Sequence, residues 1–97
     1  MPRAVRWSET ALRQLEAVRQ FVEQDKPIAA FRLAYRIRNS TNILANFPDA
    51  GRVGPALGTR QWAIPGTRYI ANYTVVGNEV RILSLHHGMI DWKPRED

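Results

Sequence analysis

Apolar residues in the first half of the chain recur at intervals of three and four. They form one continuous stripe over residues 9–24, and a second stripe over residues 27–46. Positions three and four apart lie on one side of a helix, so this spacing predicts two amphipathic helices joined as a hairpin. Ser8 stands where the first helix needs an N-cap, and Pro27 suits the first turn of the second. The predicted buried positions are Ala11, Leu12, Leu15, Val18, Phe21 and Val22 in the first helix and Ala30, Phe31, Leu33, Ala34, Ile37, Thr41 and Leu44 in the second.

The second half of the chain has the composition of β-strands. Tyr, Ile, Thr and Val are frequent there, and turn residues separate the runs. The pair Gly77-Asn78 places a glycine where a type II′ hairpin turn requires one. A short, partly alternating run before the first helix predicts an edge strand as well. The predicted strands cover residues 3–7, 61–64, 68–76 and 79–87, and residues 51–60 are predicted to be a loop.

The order of these elements predicts the fold class. The order β-α-α-β-β-β indicates an α+β fold, in which the N-terminal helix hairpin packs on one face of a small, mostly antiparallel sheet. The last strand contains the apolar run Ile82-Leu83-Ser84-Leu85, so we expect it to be central. Ninety-seven residues are close to the usual size of one domain, so we expect a single domain over residues 1–97.

Composition narrows the possible functions. The chain has no cysteine, which excludes disulfides and thiolate metal sites. No run approaches the ~20 apolar residues that cross a bilayer. The N-terminal residues lack the apolar segment of a signal peptide. We therefore expect a cytoplasmic protein with no membrane partner.

The positive charge of the chain comes almost entirely from arginine. Fourteen Lys and Arg residues stand against nine Asp and Glu, which gives a net charge of +5. Arginine presents a planar fork of donors that suits phosphate and carboxylate groups and stacks on bases. This charge predicts a polyanionic partner, either a nucleic acid or an acidic protein segment. The alternative is an ordinary solvated surface.

A series of short motifs follows the second helix in a fixed order. The series consists of Phe47-Pro48, Gly51-Arg52, GTRQW at residues 58–62, GTRYI at residues 66–70, Tyr73, VRIL at residues 80–83, His87-Gly88 and Asp91-Trp92. No single motif is specific. Together with the helix pair and the strand order, the series resembles the RelE/ParE superfamily, the toxin halves of type II toxin–antitoxin (plasmid-stabilisation or addiction) modules. The resemblance covers nearly the whole chain.

The resemblance implies a growth-inhibiting toxin and a cognate antitoxin whose acidic or amphipathic C-terminal segment folds along it. RelE-like members cut mRNA in the ribosomal A site without a metal, whereas ParE-like members inhibit DNA gyrase. Our first hypothesis is ribosome-dependent mRNA cleavage without any cofactor. Gyrase inhibition, or a degenerate toxin that only binds its antitoxin, are the alternatives. Residues 88–92 (GMIDW) contain no arginine where many relatives have one, which leaves the gyrase alternative open.

Metal-independent cleavage of RNA through its 2′-hydroxyl needs a base, an acid and a cation. The resemblance places phosphate-contacting cations at Arg60 and Arg81, and it matches His87 to the histidine that precedes a glycine in the family. These three are therefore the predicted catalytic residues. The predicted substrate-binding residues are Arg52, Arg68, Tyr69, Tyr73, His86 and Trp92, of which Trp92 would stack on a base.

Each of these residues also has a structural interpretation. His87 ends a strand and would close the sheet through hydrogen bonds. Tyr69 and Tyr73 share one face of a strand, which favours core packing, and the arginines are possible surface cations. Two adjacent histidines on a strand face opposite ways and lack companions, so we expect no metal site.

Overall fold

The computed structural model describes residues 2–88 of the chain. Two helices lie on one face of a five-stranded sheet in this part of the protein. The elements are β1 (Ala4–Trp7), α1 (Glu9–Glu23), α2 (Pro27–Ser40), a 3₁₀ turn (Thr41–Ala45), β2 (Arg52–Val53), β3 (Thr59–Ala63), β4 (Tyr69–Val76) and β5 (Glu79–His87). The predicted α+β fold with an N-terminal helix hairpin is confirmed, with one strand more than predicted.

The strands form a single sheet in the order β1-β5-β4-β3-β2. β1 lies parallel to β5, and the other three neighbouring pairs are antiparallel. β5 therefore has a neighbour on each side, as its apolar run predicts, and β1 is an edge strand. None of the described helices is long and apolar enough to cross a membrane.

Side chains of α1 attach the helix to the sheet. The hydroxyl of Ser8 accepts a hydrogen bond from Ala11 N at 3.0 Å, as an N-cap does, and donates to Leu83 O at 3.0 Å. Six residues later, Gln14 Oε1 accepts from Leu85 N at 2.7 Å. These bonds satisfy backbone groups of β5 beyond the end of β1.

The buried stripes of the two helices are narrower than predicted. Buried side chains such as Leu15 and Ile37 come from the centre of each stripe. A residue next to such a position points about 100° away around the helix, because one turn takes 3.6 residues. The prediction of burial is wrong for Leu12, Phe21 and Phe31, which are 38%, 72% and 71% exposed.

The regular part of the second helix ends at Ser40, before the predicted residue 46. Thr41 begins the 3₁₀ turn, and its buried hydroxyl donates to Arg38 O at 2.8 Å and accepts from Trp7 Nε1 at 3.2 Å. A threonine hydroxyl that binds a carbonyl one turn earlier competes with regular helix hydrogen bonding. The predicted helix therefore continues as the 3₁₀ turn, in which Leu44 is still buried.

The predicted loop at residues 51–60 contains a strand. β2 pairs with β3, and Gly54 N donates to Thr59 O at 2.9 Å. Two residues are too few to show an alternating pattern, which is why the sequence did not reveal β2. The same pairing starts β3 at Thr59 instead of residue 61, and β3 ends at Ala63 instead of residue 64.

A β-bulge at Leu83 inverts the alternation of β5. Tyr73 pairs with Ile82, whereas the preceding Asn72 pairs with Ser84, so Leu83 is an extra residue. After the bulge, Ser84 faces away from the helices although Ile82, two residues earlier, is part of the core.

The sheet consequently has two different faces. The inner face packs against the helices, and the outer face carries no described helix. The core lies between the inner face and the helices and consists of Ala11, Leu15, Ile37, Leu44, Ile64, Ala71, Tyr73, Val80, Ile82 and Leu85. Side chains at the alternate strand positions lie on the outer face.

Candidate functional site on the outer face of the sheet

Tyr73 centres a buried hydrogen-bond cluster where the inner face meets the loop before β2. Its hydroxyl donates to Pro48 O at 2.6 Å and accepts from Gly51 N at 2.9 Å. Burial raises the pKa of the Tyr73 phenol above its ordinary value of 10.0, against the lowering effects of the Gly51 amide and the charge of Arg60. Tyr73 is therefore a neutral donor at physiological pH, and it fixes the loop.

Arg60 belongs to the same cluster. It lies opposite Tyr73 in the sheet, and its Nη1 donates to Gly51 O at 2.8 Å while its Nη2 lies 3.6 Å from Asp49 Oδ1. The loop is packed so tightly that a Cβ at Gly51 would lie 2.6 Å from Gln61 O. In this structure the guanidinium of Arg60 supports the loop.

His87 lies at the other end of the inner face. Its ring meets Tyr69 edge to face, with the centroids 5.2 Å apart and the planes at 81°. Tyr69 and Tyr73 share this face, as predicted from their spacing. Tyr69 is four positions from Tyr73 along β4, so His87 lies roughly 13 Å along the sheet from the Tyr73 cluster, at about 3.3 Å per residue.

A row of polar side chains crosses the outer face from β3 to β5. Gln61 Nε2 donates to Asn72 Oδ1 at 3.0 Å, and Asn72 Nδ2 donates to Ser84 Oγ at 2.8 Å. The same Asn72 nitrogen lies 3.1 Å from Nδ1 of His86. Only His86 was predicted from the sequence as a site residue. The sequence did contain one indication for Asn72. It lies between Ala71 and Tyr73, which are buried, so strand alternation places its side chain on the outer face.

A cavity of about 590 Å³ lies beside this row, close to the turn between β3 and β4. Arg52 and Arg68 line it together with Tyr69 and Ile70. Both arginines are exposed. Within residues 2–88, neither guanidinium has a hydrogen-bond or ion-pair partner.

Arg81 occupies the opposite end of the outer face, in a cluster of ion pairs. Its Nε donates to Glu79 Oε1 at 2.6 Å, and Arg6 Nε lies 2.5 Å from the other carboxylate oxygen. The hydrogen bond from Arg81 is the main cause that holds the pKa of Glu79 below its ordinary value of 4.5. Arg81 is thus paired in this structure.

The structure separates the three residues predicted to be catalytic. Arg60 and His87 lie on the inner face at different ends, and Arg81 lies on the outer face. Their catalytic roles stay predictions. Among the described residues, no group of three or more His, Asp or Glu side chains is placed to hold a metal ion.

The predicted substrate-binding residues divide between the two faces. Arg52, Arg68 and His86 lie together on the outer face. Tyr73 lies on the inner face, as does Tyr69, although Tyr69 also lines the cavity. Trp92 lies outside the described residues. We use the name outer-face site for the surface formed by Arg52, Gln61, Arg68, Asn72, Ser84 and His86.

Comparison with known sequences identifies related toxins. A family model described as the ParE toxin of the type II toxin–antitoxin system parDE matches residues 5–92. The putative toxin Y4kP of Sinorhizobium fredii is 34% identical over 88 residues, which cover 91% of this chain and 91% of that protein. The toxin RelE2 of Caulobacter vibrioides is 32% identical over 81 residues, which cover 84% of this chain and 90% of that protein.

Two solved structures share the fold. A chain of the chromosomal ParDE system from P. aeruginosa matches with a TM-score of 0.81 and 22% identity, covering 88% of this chain and 95% of that one. A chain of the toxin–antitoxin complex RelBE2 from Mycobacterium tuberculosis matches with a TM-score of 0.58 and 20% identity, covering 90% and 92%. These likenesses confirm the arrangement of a helix hairpin on a mostly antiparallel sheet.

Proposed function

This chain belongs to the ParE toxin family of type II toxin–antitoxin systems, and we propose that it arrests growth by binding and inhibiting DNA gyrase. In this proposal the toxin blocks its target through surface contacts and breaks no covalent bond itself. Gyrase is the target that the family resemblance assigns to ParE-like members. We propose that the protein acts in the cytoplasm, where this target is found.

The separation of Arg60, Arg81 and His87 is the observation that carries the proposal. Cleavage of RNA needs a base, an acid and a cation around one phosphate, each within about 3 Å of the atom it serves. Arg60 is bonded to the Gly51 carbonyl on the inner face, and Arg81 is bonded to Glu79 on the outer face. This arrangement favours a binding function over a catalytic one.

We propose an antitoxin as the second partner, with α2 as its docking surface. Ile28, Phe31 and Tyr35 form one apolar stripe at spacings of three and four, and their side chains are 69%, 71% and 67% exposed. Arg32 and Arg36 flank the stripe, and a cavity of about 600 Å³ separates this part of α2 from the turn between β3 and β4.

The positive charge of α2 favours an acidic antitoxin segment on this surface over a second copy of the chain. α2 contains arginines but no acidic residue, so a second copy of the chain would bring like charges together. An amphipathic antitoxin segment with apolar anchors and carboxylates would complement both the stripe and the arginines.

Ribosome-dependent mRNA cleavage is the second candidate function. It is favoured by the grouping of Arg52, Arg68 and His86 on an open face, and by the similarity to a toxin named RelE2. In this case His86 would serve near the phosphate in place of His87.

Two parallel assays with purified toxin test the proposal. We expect the toxin to stop gyrase from supercoiling a relaxed plasmid and to leave mRNA intact in a reconstituted translation reaction. Ribosome-dependent breaks, mapped as new 5′ ends on the message, would overturn gyrase inhibition in favour of cleavage. No effect in either assay would indicate a degenerate toxin that only binds its antitoxin.

The antitoxin surface is tested by measuring the affinity of the toxin for its cognate antitoxin. We expect Phe31→Ser with Tyr35→Ser to weaken binding by about tenfold or more, as loss of two exposed aromatic anchors does at a protein interface. Leu57→Ser is the matched control, because Leu57 is fully exposed (102%) in the loop before β3. Equal weakening by the control would contradict a role for α2.

A further inference from the structure

Ser8 binds two consecutive carbonyl groups of β5. Its backbone N–H donates to Ile82 O at 2.9 Å, and its hydroxyl donates to Leu83 O at 3.0 Å. Consecutive carbonyls of a regular strand point to opposite edges of that strand. At the β-bulge they point to the same edge, because the extra residue Leu83 interrupts the alternation. The two donors of Ser8 therefore fit the bulged form of β5 and not the regular form.

Gln14 binds a further backbone group on the same edge of β5. The pairing of β1 with β5 ends at Trp7 and Ile82, so no residue of β1 reaches Leu85 N. Gln14 Oε1 accepts from this N–H at 2.7 Å. Leu85 is only 4% exposed, so water cannot easily replace the bond. Gln14 thus holds β5 two residues beyond the bulge, in the arrangement in which Leu85 enters the core.

The bulge decides which side chains reach the outer face. With regular alternation, Ser84 and His86 would follow Ile82 onto the inner face. Leu85 would then point to the outer face and leave the core. With the bulge, Ser84 Oγ and His86 Nδ1 instead lie 2.8 and 3.1 Å from Nδ2 of Asn72 on the outer face. Both residues of β5 in the outer-face site therefore depend on the one extra residue that Ser8 binds.

The contact between Asn72 and His86 also fixes the form of the imidazole ring. Asn72 Oδ1 accepts from Gln61 Nε2, so Nδ2 of the same amide faces His86. An amide nitrogen can only donate, so Nδ1 of His86 accepts, and the neutral ring carries its proton on Nε2. The position of this proton consequently reports whether β5 holds His86 in place.

We propose that Ser8 and Gln14 are positioning residues of the outer-face site. By holding the bulged form of β5, they keep Ser84 and His86 on the face that meets the target of the toxin. Neither residue belongs to the site, and both act through the backbone of β5 from the start of α1. The step from position to inhibition rests on the proposed function, whereas the step from α1 to His86 does not.

Two substitutions at Ser8 separate the bulge from the helix cap. Ser8→Asp keeps an acceptor for Ala11 N, and aspartate is a good N-cap, but its carboxylate cannot donate to Leu83 O. Ser8→Thr keeps both the acceptor and the donor. A role confined to capping predicts that both variants behave like the wild type. Positioning predicts that only Ser8→Asp disturbs the outer-face site.

Two substitutions at Gln14 make the same comparison without changing the cap. Gln14→Glu keeps an oxygen that accepts from Leu85 N, whereas Gln14→Leu has a similar size and no acceptor. Val18→Ala is the matched control for a general loss of stability. Val18 lies one turn later on α1 and packs against the core, and its apolar side chain makes no hydrogen bond to β5.

The deciding measurement is the proton position on the His86 ring in the purified full chain. Long-range ¹H–¹⁵N NMR correlations at about pH 8.5, where imidazole is neutral, show which nitrogen carries the proton. We expect the Nε2–H form alone in the wild type, Ser8→Thr, Gln14→Glu and Val18→Ala. We expect both forms in Ser8→Asp and Gln14→Leu, because His86 then loses its fixed place beside Asn72.

A second measurement connects the ring to function. In whichever of the gyrase and translation assays responds to the wild type, we expect Ser8→Asp and Gln14→Leu to raise the half-inhibitory concentration of the toxin about fivefold or more, as loss of one strong interface contact does. Ser8→Thr and Gln14→Glu should restore inhibition.

Three outcomes would count against the proposal. The Nε2–H form alone in all six proteins would overturn it, because His86 would keep its place without the bonds to α1. Both forms in Val18→Ala as well would overturn it too, because general destabilisation would explain the change. Both forms in Ser8→Asp and Gln14→Leu with full inhibition would overturn the functional step. A wild-type toxin that leaves gyrase active would disprove gyrase inhibition and leave the ring comparison intact, so the two proposals fail separately.

Discussion

Asn72 and Tyr73 are neighbours in the chain, yet they centre hydrogen-bond clusters on opposite faces of the sheet. Tyr73 is fully buried, and its hydroxyl binds two backbone groups of the loop before β2. Asn72 is half-buried and joins the side chains of Gln61, Ser84 and His86. One cluster holds the backbone in place, and the other orients side chains that face solvent.

The two clusters differ in what each contributes to stability. A buried donor or acceptor that loses its partner costs about 1–3 kcal/mol, because water cannot replace the lost bond. Water can replace the bonds around Asn72. We therefore expect the inner cluster to be constrained by folding and the outer-face site to be free to serve a ligand.

Removal of the Tyr73 side chain should have the largest effect. We expect Tyr73→Ala to lower the free energy of unfolding by about 3–5 kcal/mol, the usual cost of truncating a buried aromatic residue. Urea denaturation followed by circular dichroism measures this. Tyr35→Ala is the matched control, since Tyr35 is 67% exposed and its loss should cost less than about 0.5 kcal/mol. Similar costs at both positions would contradict the importance of the inner cluster.

Removal of the Tyr73 hydroxyl alone should have a smaller effect that depends on pH. We expect Tyr73→Phe to cost about 1–3 kcal/mol at pH 7, because Gly51 N and Pro48 O lose their partner. The pKa of this phenol is raised in the folded protein, so above pH 10 the unfolded chain loses the proton first. The advantage of the wild type over Tyr73→Phe should therefore shrink as pH rises above 10.

Denaturation of both proteins between pH 7 and 11 measures this difference. A difference that stays constant across the range would mean that the phenol titrates at the same pH in both states. The cluster would then be more open to water than the structure shows.

Removal of Asn72 tests the other half of the comparison. We expect Asn72→Ala to cost about 0.5–1.5 kcal/mol, the net value of ordinary hydrogen bonds at a half-exposed site. The same variant should change the NMR resonances of the His86 ring, because Asn72 lies 3.1 Å from its Nδ1. If Asn72→Ala lowers the free energy of unfolding as much as Tyr73→Phe does, the outer cluster also contributes strongly to stability.

Much of the fold could be predicted because repeating patterns carry it. The spacing of apolar residues identified both helices, and Ser8 marked the start of the first. Predicted strands at residues 68–76 and 79–87 agree with β4 and β5 within one residue. The sequence did not reveal the two-residue strand β2, because so short a strand is defined only by its pairing with β3. It also did not reveal which residues beside each helical stripe are exposed, because that depends on tertiary contacts.

The candidate site could be predicted only in part, because it depends on the bulge in β5. Regular alternation would place Arg81 and His87 on one face and His86 on the other. The extra residue Leu83 inverts this order after the bulge, so Arg81 shares the outer face with His86. Asn72 and Ser84 were not predicted as site residues, because the hydrogen bonds that place them in the site are made to partners on other strands.

The ion cluster at the far end of the outer face should show the smallest effect. NMR titration of the Glu79 carboxyl should give a pKa below 4.5 in the wild type. Arg81→Ala should raise that pKa more than Arg6→Ala does, because the hydrogen bond from Arg81 is the largest cause of the lowering. A lowered pKa in the folded state stabilises the protein above the unfolded pKa, and this contribution is lost as pH falls through the folded value.

Both arginines of this cluster are exposed and Glu79 is partly exposed, so we expect little change in thermal stability from either variant. The cluster matters instead for the choice between gyrase inhibition and mRNA cleavage. If Arg81→Ala leaves the pKa of Glu79 unchanged, the Arg81 guanidinium is not held by that carboxylate in solution. The outer face would then offer Arg81 to a phosphate alongside Arg52 and Arg68, and the argument against cleavage would rest on Arg60 and His87 alone. A raised pKa of Glu79 would instead show that the Arg81 guanidinium is paired with Glu79 in solution. That pairing is compatible with a toxin that binds its target without cleaving it.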